Sequence, residues 1–111
     1  MRERNEIATL ITQKMERNSN GFSNPVILCE NEIFAAELSA KRSEFYAALA
    51  SGHKVTNVLS VDLDDYKSGI VYEDDKKRLP NIVLYDGVRY SILRTYKTDP
   101  QTIELTLTEV E

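Results

Sequence analysis

The alternation of apolar and polar residues is clearest near the C-terminal end of the chain. Ile103, Leu105 and Leu107 fall on one side of an extended backbone, and the residues between them are polar. A period of two residues is typical of a β-strand with one buried face and one face in water. The pattern therefore predicts a strand over 102–108. Its predicted solvent face carries Thr102, Glu104, Thr106 and Thr108.

A second strand with the same period precedes it, over 88–96. Three of its residues belong to the predicted core face, namely Val88, Tyr90 and Ile92. Three others belong to the predicted outer face, namely Arg89, Ser91 and Thr95. Both aromatic and β-branched residues are common in strands, so the composition agrees with the spacing.

Turn residues separate these two strands from each other and from the segment before them. Tyr85-Asp86-Gly87 comes directly before the first strand, and Asp-Gly is a strong signal for a two-residue hairpin turn. Between the strands lies Lys97 to Gln101. There Pro100 presets its own φ, and the Asp99 side chain can bond nearby backbone. We therefore expect a β-meander in the C-terminal half.

The N-terminal half has weaker periodicity. Glu6 to Met15 is predicted to be a strand, although a short helix also fits the spacing of its apolar residues. Residues 17–25 are rich in turn formers and predict a long turn. A short strand is predicted over 26–29, because the proline before it suits the start of a strand. Asn31 to Ser39 predicts another strand, whose alanines and glutamates also tolerate a helix.

One segment has the features of a helix, from Arg42 to Ser51. Ser43 can cap its N-terminus, and Gly52 follows its last residue. Its apolar residues are spaced by three and four positions, which gives the helix one apolar face. Because so short a helix is marginal alone, we expect it to pack against a sheet. A strand is predicted next, from Val55 to Leu63.

Asp64 to Pro80 differs from the rest of the chain because its acidic and basic residues come in alternating blocks. We predict a long exposed loop or a protruding ribbon, and long loops in compact domains are often functional. Tyr66 and Tyr72 lie in this segment, and tyrosine is common at interfaces, so an interface role is one interpretation of both. The candidate channel or interface residues are Asp64, Asp65, Tyr66, Lys67, Ile70, Tyr72, Asp74, Asp75, Lys76 and Lys77.

Length and composition limit the class of protein. The chain has 111 residues, which fits a single domain over 1–111. Its one cysteine, Cys29, excludes an internal disulfide and fits synthesis in a reducing cytosol. A formal net charge of −4 disfavours binding to a phosphate backbone. No apolar run approaches the ~20 residues that span a bilayer, and the charged N-terminus is unlike a signal peptide, so we expect no membrane association.

The sequence offers little for catalysis, and we predict no enzyme activity, cofactor or metal. Cys29 and His53 could form a nucleophile–base pair, but a packed cysteine and a surface histidine are the favoured interpretation. The carboxylates between Asp62 and Asp75 could bind a hard cation. Their spacing is irregular, so a solvated segment balanced by lysines is favoured there.

The order of these features resembles a known protein family. The helix begins Ser43-Glu44-Phe45-Tyr46, and the later hairpin begins Tyr85-Asp86-Gly87. Together with the strand patterns from Ile7 to Glu109, they resemble the small head–tail connector proteins of long-tailed bacteriophages and their relict prophages. This group includes head-closure, stopper and head–tail adaptor proteins. The family's first hairpin usually carries an aromatic residue, often tryptophan, in or after its turn. This chain has no tryptophan and offers Phe22 instead.

The resemblance implies a mainly β fold: a small antiparallel β-barrel of the meander type, with one short α-helix packed on it and a long loop. Such a protein would be a monomer when isolated and would assemble as a ring of typically twelve copies below the portal or adaptor ring. The Asp64 to Pro80 loop would lie near packaged DNA, without binding it specifically, and would help to close the channel. Tail proteins would bind the other side. The candidate helix-surface residues are Arg42, Glu44 and Tyr46.

The resemblance also implies a location at the head–tail joint of the virion, after synthesis in the bacterial cytoplasm. Two alternatives stay open. A tail-completion protein, of the tail-terminator kind, shares the small β-rich and ring-forming character. An oligonucleotide-binding β-barrel would interleave aromatic and basic residues on one face. Arg89, Tyr90 and Arg94 approach that pattern, although we expect Tyr90 on the opposite side of its strand from the arginines.

Overall fold

Eight β-strands and one short helix form the parts of the chain that the computed structural model describes, residues 6–38 and 57–110. In chain order they are β1 (Glu6–Arg17), β2 (Ser23–Leu38), β3 (Asn57–Asp62), α1 (Leu63–Lys67), β4 (Val71–Glu73), β5 (Lys76–Arg78), β6 (Ile82–Tyr85), β7 (Val88–Asp99) and β8 (Thr102–Glu109). The predicted helix over 42–51, with Arg42, Glu44 and Tyr46, lies outside the described residues. Within them, no helix has the length and apolar character needed to cross a membrane.

Six of the strands form one antiparallel sheet in the order β1-β2-β3-β8-β7-β6. The last strand in this order, β6, also pairs with β1: Ala8 lies opposite Tyr85, and Ile11 lies opposite Ile82. The pairings therefore run in a cycle, and each of the six strands has a paired neighbour on both sides. The predicted class, mainly β, is confirmed. β4 and β5 form a separate two-stranded hairpin.

The core lies on the inner face of the cyclic sheet. Its largest cluster among the described residues comprises Ala8, Leu10, Ile33, Ala35, Leu59, Val61, Leu63, Tyr66, Val83, Tyr85, Tyr90, Ile103, Leu105 and Leu107. Leu105 and Leu107 have no exposed surface. Burying a side chain of that size stabilises the fold by roughly 1.5–3 kcal/mol. The predicted core residues of β8 are confirmed, and Val88 and Ile92 of β7 pack against the cluster as predicted.

The turns of the C-terminal half have the geometry that their residues predict. Asp86 and Gly87 have φ of 53° and 76°, and the strands pair up to the residues on either side of them. This is a two-residue turn of type I′, whose twist matches that of the two strands. At the next turn, the Gln101 N–H donates a hydrogen bond to the Asp99 carboxylate at 2.8 Å. This turn is shorter than the predicted 97–101, because β7 continues to Asp99, which pairs with Thr102. The predicted meander of β6, β7 and β8 is therefore present.

A single long strand, β2, occupies the range in which the sequence predicted the end of a long turn, a short strand and a second strand. The turn is confined to 18–22, where the Asn18 side chain accepts hydrogen bonds from two backbone N–H groups. The register of β1 against β2 shifts beside Thr12, where Leu28 has no partner. Such a β-bulge moves the following residues to the other face. The alternation is interrupted at the bulge although the strand continues, and this is why the prediction divided it.

Two residues of β7 and β8 depart from the predicted alternation. A register shift follows Ile92, and Thr95 therefore lies opposite the core residue Leu105, although its side chain is exposed. Thr106, predicted to be in solvent, is only 2% exposed. It lies opposite Val58, the buried centre of a second and smaller cluster on the outer side of the sheet. The alternation of a single strand does not show what packs on its outer face.

Candidate interaction surface

The segment predicted as a loop over 64–80 begins instead with the helix α1. The Asp62 carboxylate accepts a hydrogen bond at 2.8 Å from the backbone N–H two residues later, which caps the helix. Leu63 and Tyr66 then join the core, where Tyr66 is 6% exposed. Burial raises the pKa of the Tyr66 phenol. The loop prediction is wrong for this helix, and Tyr66 is a core residue, so it is unavailable for the interface role considered for it.

The chain continues from α1 along the inner side of β1 and β2. The Thr12 hydroxyl donates a hydrogen bond to the Gly69 carbonyl oxygen. Asn31 Nδ2 lies 3.4 Å from the Ser68 carbonyl oxygen and 3.3 Å from its hydroxyl. A side chain at Gly69 would not fit, because its Cβ would lie 2.9 Å from Cγ of Pro80. These contacts hold the segment against the sheet.

β4 and β5 form a short hairpin with a charged tip. Its two tip residues, Asp74 and Asp75, have φ of 50° and 62°, in the left-handed region. Positive φ at both central residues makes this a type I′ turn, which glycine and asparagine favour. On the strands, Tyr72 lies directly opposite Lys77, so their side chains share one face. The structure therefore has a two-stranded hairpin in this part of the segment, and such a ribbon was one of the two structures predicted for 64–80.

An ion pair attaches this hairpin to β1. The Lys14 ammonium donates a hydrogen bond to the Glu73 carboxylate. That hydrogen bond lowers the pKa of the Glu73 carboxyl and raises the pKa of the Lys14 ammonium. Arg78 shares the hairpin face of Glu73, and its Nε is buried with no hydrogen-bond partner in the described parts of the chain. The face with Glu73 and Arg78 is therefore the inner face of the hairpin.

The opposite face of the hairpin is in solvent. Tyr72 is 74% exposed, more than any other large apolar side chain in the described ranges, and Lys77 lies beside it. The exposed members of the predicted interface set are Asp64, Lys67, Tyr72, Asp74, Asp75, Lys76 and Lys77. The half-buried members are Asp65 and Ile70. We call the face with Tyr72 and Lys77 the hairpin face.

A second exposed surface lies on the outer side of β1 and β2, away from the hairpin. Its exposed apolar side chains are Ile7, Met15, Ile27 and Phe34. Ile7 lies directly opposite Phe34, and Met15 lies opposite Pro25. Along β2, the exposed Glu30 and Glu32 lie between Ile27 and Phe34. We call this surface the ribbon face; the sequence analysis did not find it.

Two tyrosines of the core, Tyr85 and Tyr90, have polar side chains as partners at its edge. The Tyr85 hydroxyl lies against the Glu6 carboxylate and 3.1 Å from a Glu37 carboxylate oxygen. Burial, and then these two carboxylates, raises the pKa of the Tyr85 phenol well above its usual value. Asn57 Nδ2 donates a hydrogen bond to the Tyr90 hydroxyl oxygen at 2.8 Å. Both tyrosines are thus strand residues whose hydroxyls have polar partners at the edge of the core.

Arg89 and Tyr90 lie on opposite sides of β7, as predicted. Tyr90 is buried in the core, whereas Arg89 Nη2 donates to Gln13 Oε1 on the outer side at 2.6 Å. β1 and β7 flank β6 in the sheet, so this hydrogen bond crosses β6. A nucleic-acid base stacks on an exposed aromatic ring. Tyr90 therefore cannot supply the stacking surface that an oligonucleotide-binding face would need at this position.

The remaining reactive side chains are dispersed. Cys29 is a free, half-buried thiol whose Sγ lies 3.7 Å from the Ser68 carbonyl oxygen, and His53 lies outside the described residues. Across 6–38 and 57–110, no three His, Cys, Asp or Glu side chains are grouped so that they could hold a metal ion.

No protein-family model matches this sequence, and no curated protein matches it.

Proposed function

We propose that this chain is a structural protein of a bacteriophage or prophage that joins the head of the virion to its tail. In this proposal, the isolated protein is a monomer. Copies of it assemble as a ring of typically twelve subunits between the portal or adaptor ring and the tail proteins. The resemblance described above supports the proposal. The observation that carries it is the projecting ribbon formed by β1 and β2.

The ribbon extends well past the part of the sheet that surrounds the core. Along β1, only 8–11 pair with β6, and along β2, only 35–38 pair with β3. Beyond those residues, β1 and β2 pair only with each other, as far as Arg17 opposite Ser23. The inner side of this ribbon is in contact with the segment 68–80 through Thr12, Lys14 and Asn31. Its outer side has exposed apolar side chains, which would gain by packing on another protein. A projecting arm of this kind suits a subunit that must contact its neighbours.

In this proposal, the cyclic sheet is the small β-barrel that the resemblance implies, and the β4–β5 hairpin takes the place of the channel loop. Asp74 and Asp75 at its tip would lie near packaged DNA. Carboxylates repel phosphate groups, so such a tip would obstruct DNA without binding it. Replacing residues 70–77 with a short glycine linker tests this role. Filled heads should then lose DNA, and unchanged retention of the genome would contradict the channel role.

Deleting the gene from its phage or prophage, followed by electron microscopy of the particles, tests the function itself. Head closure predicts finished tails beside unjoined heads that have lost their DNA. Heads that stay filled and closed but lack tails would instead indicate the tail-completion function. Normally joined particles would contradict both.

The oligonucleotide-binding alternative has its own test. Titration of the purified protein with labelled single-stranded DNA at low ionic strength would reveal binding by a change in fluorescence anisotropy. Binding to a phosphate backbone weakens as salt rises. We expect no binding, because the chain is acidic and Tyr90 is buried.

A further inference from the structure

The hairpin face and the ribbon face lie on opposite sides of a two-layer projection. Consecutive residues of a strand point to opposite faces. Lys14 of β1 points to the hairpin and binds Glu73, so the neighbouring Met15 points away from it. By the same rule Tyr72, next to Glu73, points away from β1. Ile27 lies opposite Gln13 and shares the outer side with Met15.

The two faces are complementary in chemistry. The hairpin face has one exposed aromatic ring, Tyr72, with the ammonium of Lys77 beside it. The ribbon face has exposed apolar side chains next to the carboxylates of Glu30 and Glu32. A tyrosine ring packs well on aliphatic side chains, and a lysine pairs with carboxylates across an interface.

We propose that the hairpin face of one copy docks on the ribbon face of a second copy. Tyr72 packs on Met15 and Ile27 of the neighbour, and Lys77 pairs with its Glu30 and Glu32. Because the two faces are different and point in opposite directions, a pair of copies keeps one unused hairpin face and one unused ribbon face. Repetition of this head-to-tail contact builds a ring or a filament. The proposal rests on the proposed function and names the contact by which the ring would form.

Size and charge explain why such a contact would form only at high local concentration. A hairpin of two three-residue strands offers far less surface than the roughly 800 Å² per partner of a stable complex. The net charge of −4 also makes two copies repel each other in general. The lysine–glutamate pairing therefore selects one orientation, and a portal or adaptor ring would supply the high local concentration.

Disulfide cross-linking of full-length variants tests the contact. In a Cys29→Ser background, Tyr72→Cys and Ile27→Cys each place one thiol on one face. Under mild oxidation at high protein concentration, each variant alone should stay monomeric, and a mixture of the two should give dimers only. A chain carrying both substitutions should give a ladder of oligomers. Dimers of Tyr72→Cys alone, or no cross-links in the mixture, would overturn the head-to-tail contact.

Charge reversal gives an independent test. Lys77→Glu and Glu32→Lys should each raise the dissociation constant of self-association, measured by sedimentation velocity, by about tenfold. A chain that carries both substitutions should recover most of the original affinity. Lys97→Glu, an exposed reversal on β7, is the matched control and should have little effect. Equal effects of all three variants, or no recovery in the double variant, would overturn the pairing.

The two proposals can fail separately. If the gene is needed for head closure but no cross-links form, the function stands and this contact is wrong. If the cross-links form but particles lacking the gene join normally, the contact stands and the proposed function is wrong.

Discussion

The side-chain amide of Asn81 pairs with both backbone groups of Gln13. The Gln13 N–H donates to Asn81 Oδ1 at 3.0 Å, and Asn81 Nδ2 donates to the Gln13 carbonyl oxygen at 3.0 Å. The backbone of Asn81 also bonds to both flanking strands, donating to Ile11 of β1 and accepting from Ile92 of β7. One side chain thus extends the β1–β6 pairing beyond the end of β6.

We expect Asn81→Asp to destabilise the protein by about 2 kcal/mol, because a carboxylate cannot donate to the Gln13 carbonyl and would leave it unpaired. Urea unfolding followed by circular dichroism measures the change. Asn24→Asp, at an exposed position of β2, is the control and should change stability little. Equal losses from both substitutions would show that general charge, and not this pairing, is responsible.

The two tyrosines of the charged segment should differ sharply in their effect on stability. Tyr66→Ala removes a buried ring from the core and should cost about 3–4 kcal/mol. Tyr72→Ala removes an exposed ring and should change the stability of the monomer by less than about 0.5 kcal/mol. Unfolding in urea at low protein concentration measures both. A large loss with Tyr72→Ala would mean that its ring packs within the same chain.

The tip of the β4–β5 hairpin should accept glycine with a gain in stability. Asp75 has a φ of 62°, which costs an ordinary side chain energy and costs glycine almost none, so Asp75→Gly should stabilise the fold by about 0.5 kcal/mol. Gly87 has a φ of 76° with open space around it, so Gly87→Ala should destabilise the fold by about 1 kcal/mol. Thermal unfolding measures both. Changes of the same sign would contradict this account of the turns.

The Lys14–Glu73 ion pair should make stability depend on pH in a defined range. The pKa of Glu73 is lowered from 4.5, so its contribution is present above pH 4.5 and is lost as pH falls through the lower, folded-state value. The pKa of Lys14 is raised from 10.5, so its contribution is present below pH 10.5 and is lost as pH rises through the folded-state value. The pair therefore contributes between those limits.

Thermal unfolding of Glu73→Gln against the unsubstituted protein measures this dependence. The difference in Tm should be greatest near neutral pH, should shrink below pH 4.5, and should shrink in high salt because both side chains are partly exposed. Glu109→Gln, at an exposed residue of β8, is the control. A difference that stays constant from neutral to acid pH would show that the ion pair does not contribute.

The elements that were predicted correctly are those for which a single local sequence signal is enough to identify the structure. Asp86-Gly87 is enough for the β6–β7 turn, and the regular alternation over 102–108 is enough for β8 and its core face. The strand predicted over 6–15 is present as β1. In contrast, α1 has only five residues, too few for a helical period to be visible, and its one local signal was the capping side chain of Asp62.

The ribbon face was missed because apolar residues occupy both sides of β1. Ile7 and Ile11 alternate with Ala8 and Leu10, and periodicity alone does not show which set is buried. Ala8 and Leu10 face the core, whereas Ile7 is exposed. Ile11 is on the outer side yet buried, opposite Ile82 of β6. Only the pairing with a distant strand decides the environment of each residue.

The cyclic order of the strands has a consequence for synthesis on the ribosome. β1 leaves the ribosome first, but its partner β6 is translated only after most of the chain has been made. Until then Leu10 and the other inner residues of β1 have no core to enter, because β7 and β8, which complete it, come last. The nascent chain therefore cannot close its sheet, and a product truncated before β8 would be a target for proteases. Only chains that contain β8 would then be able to complete the sheet.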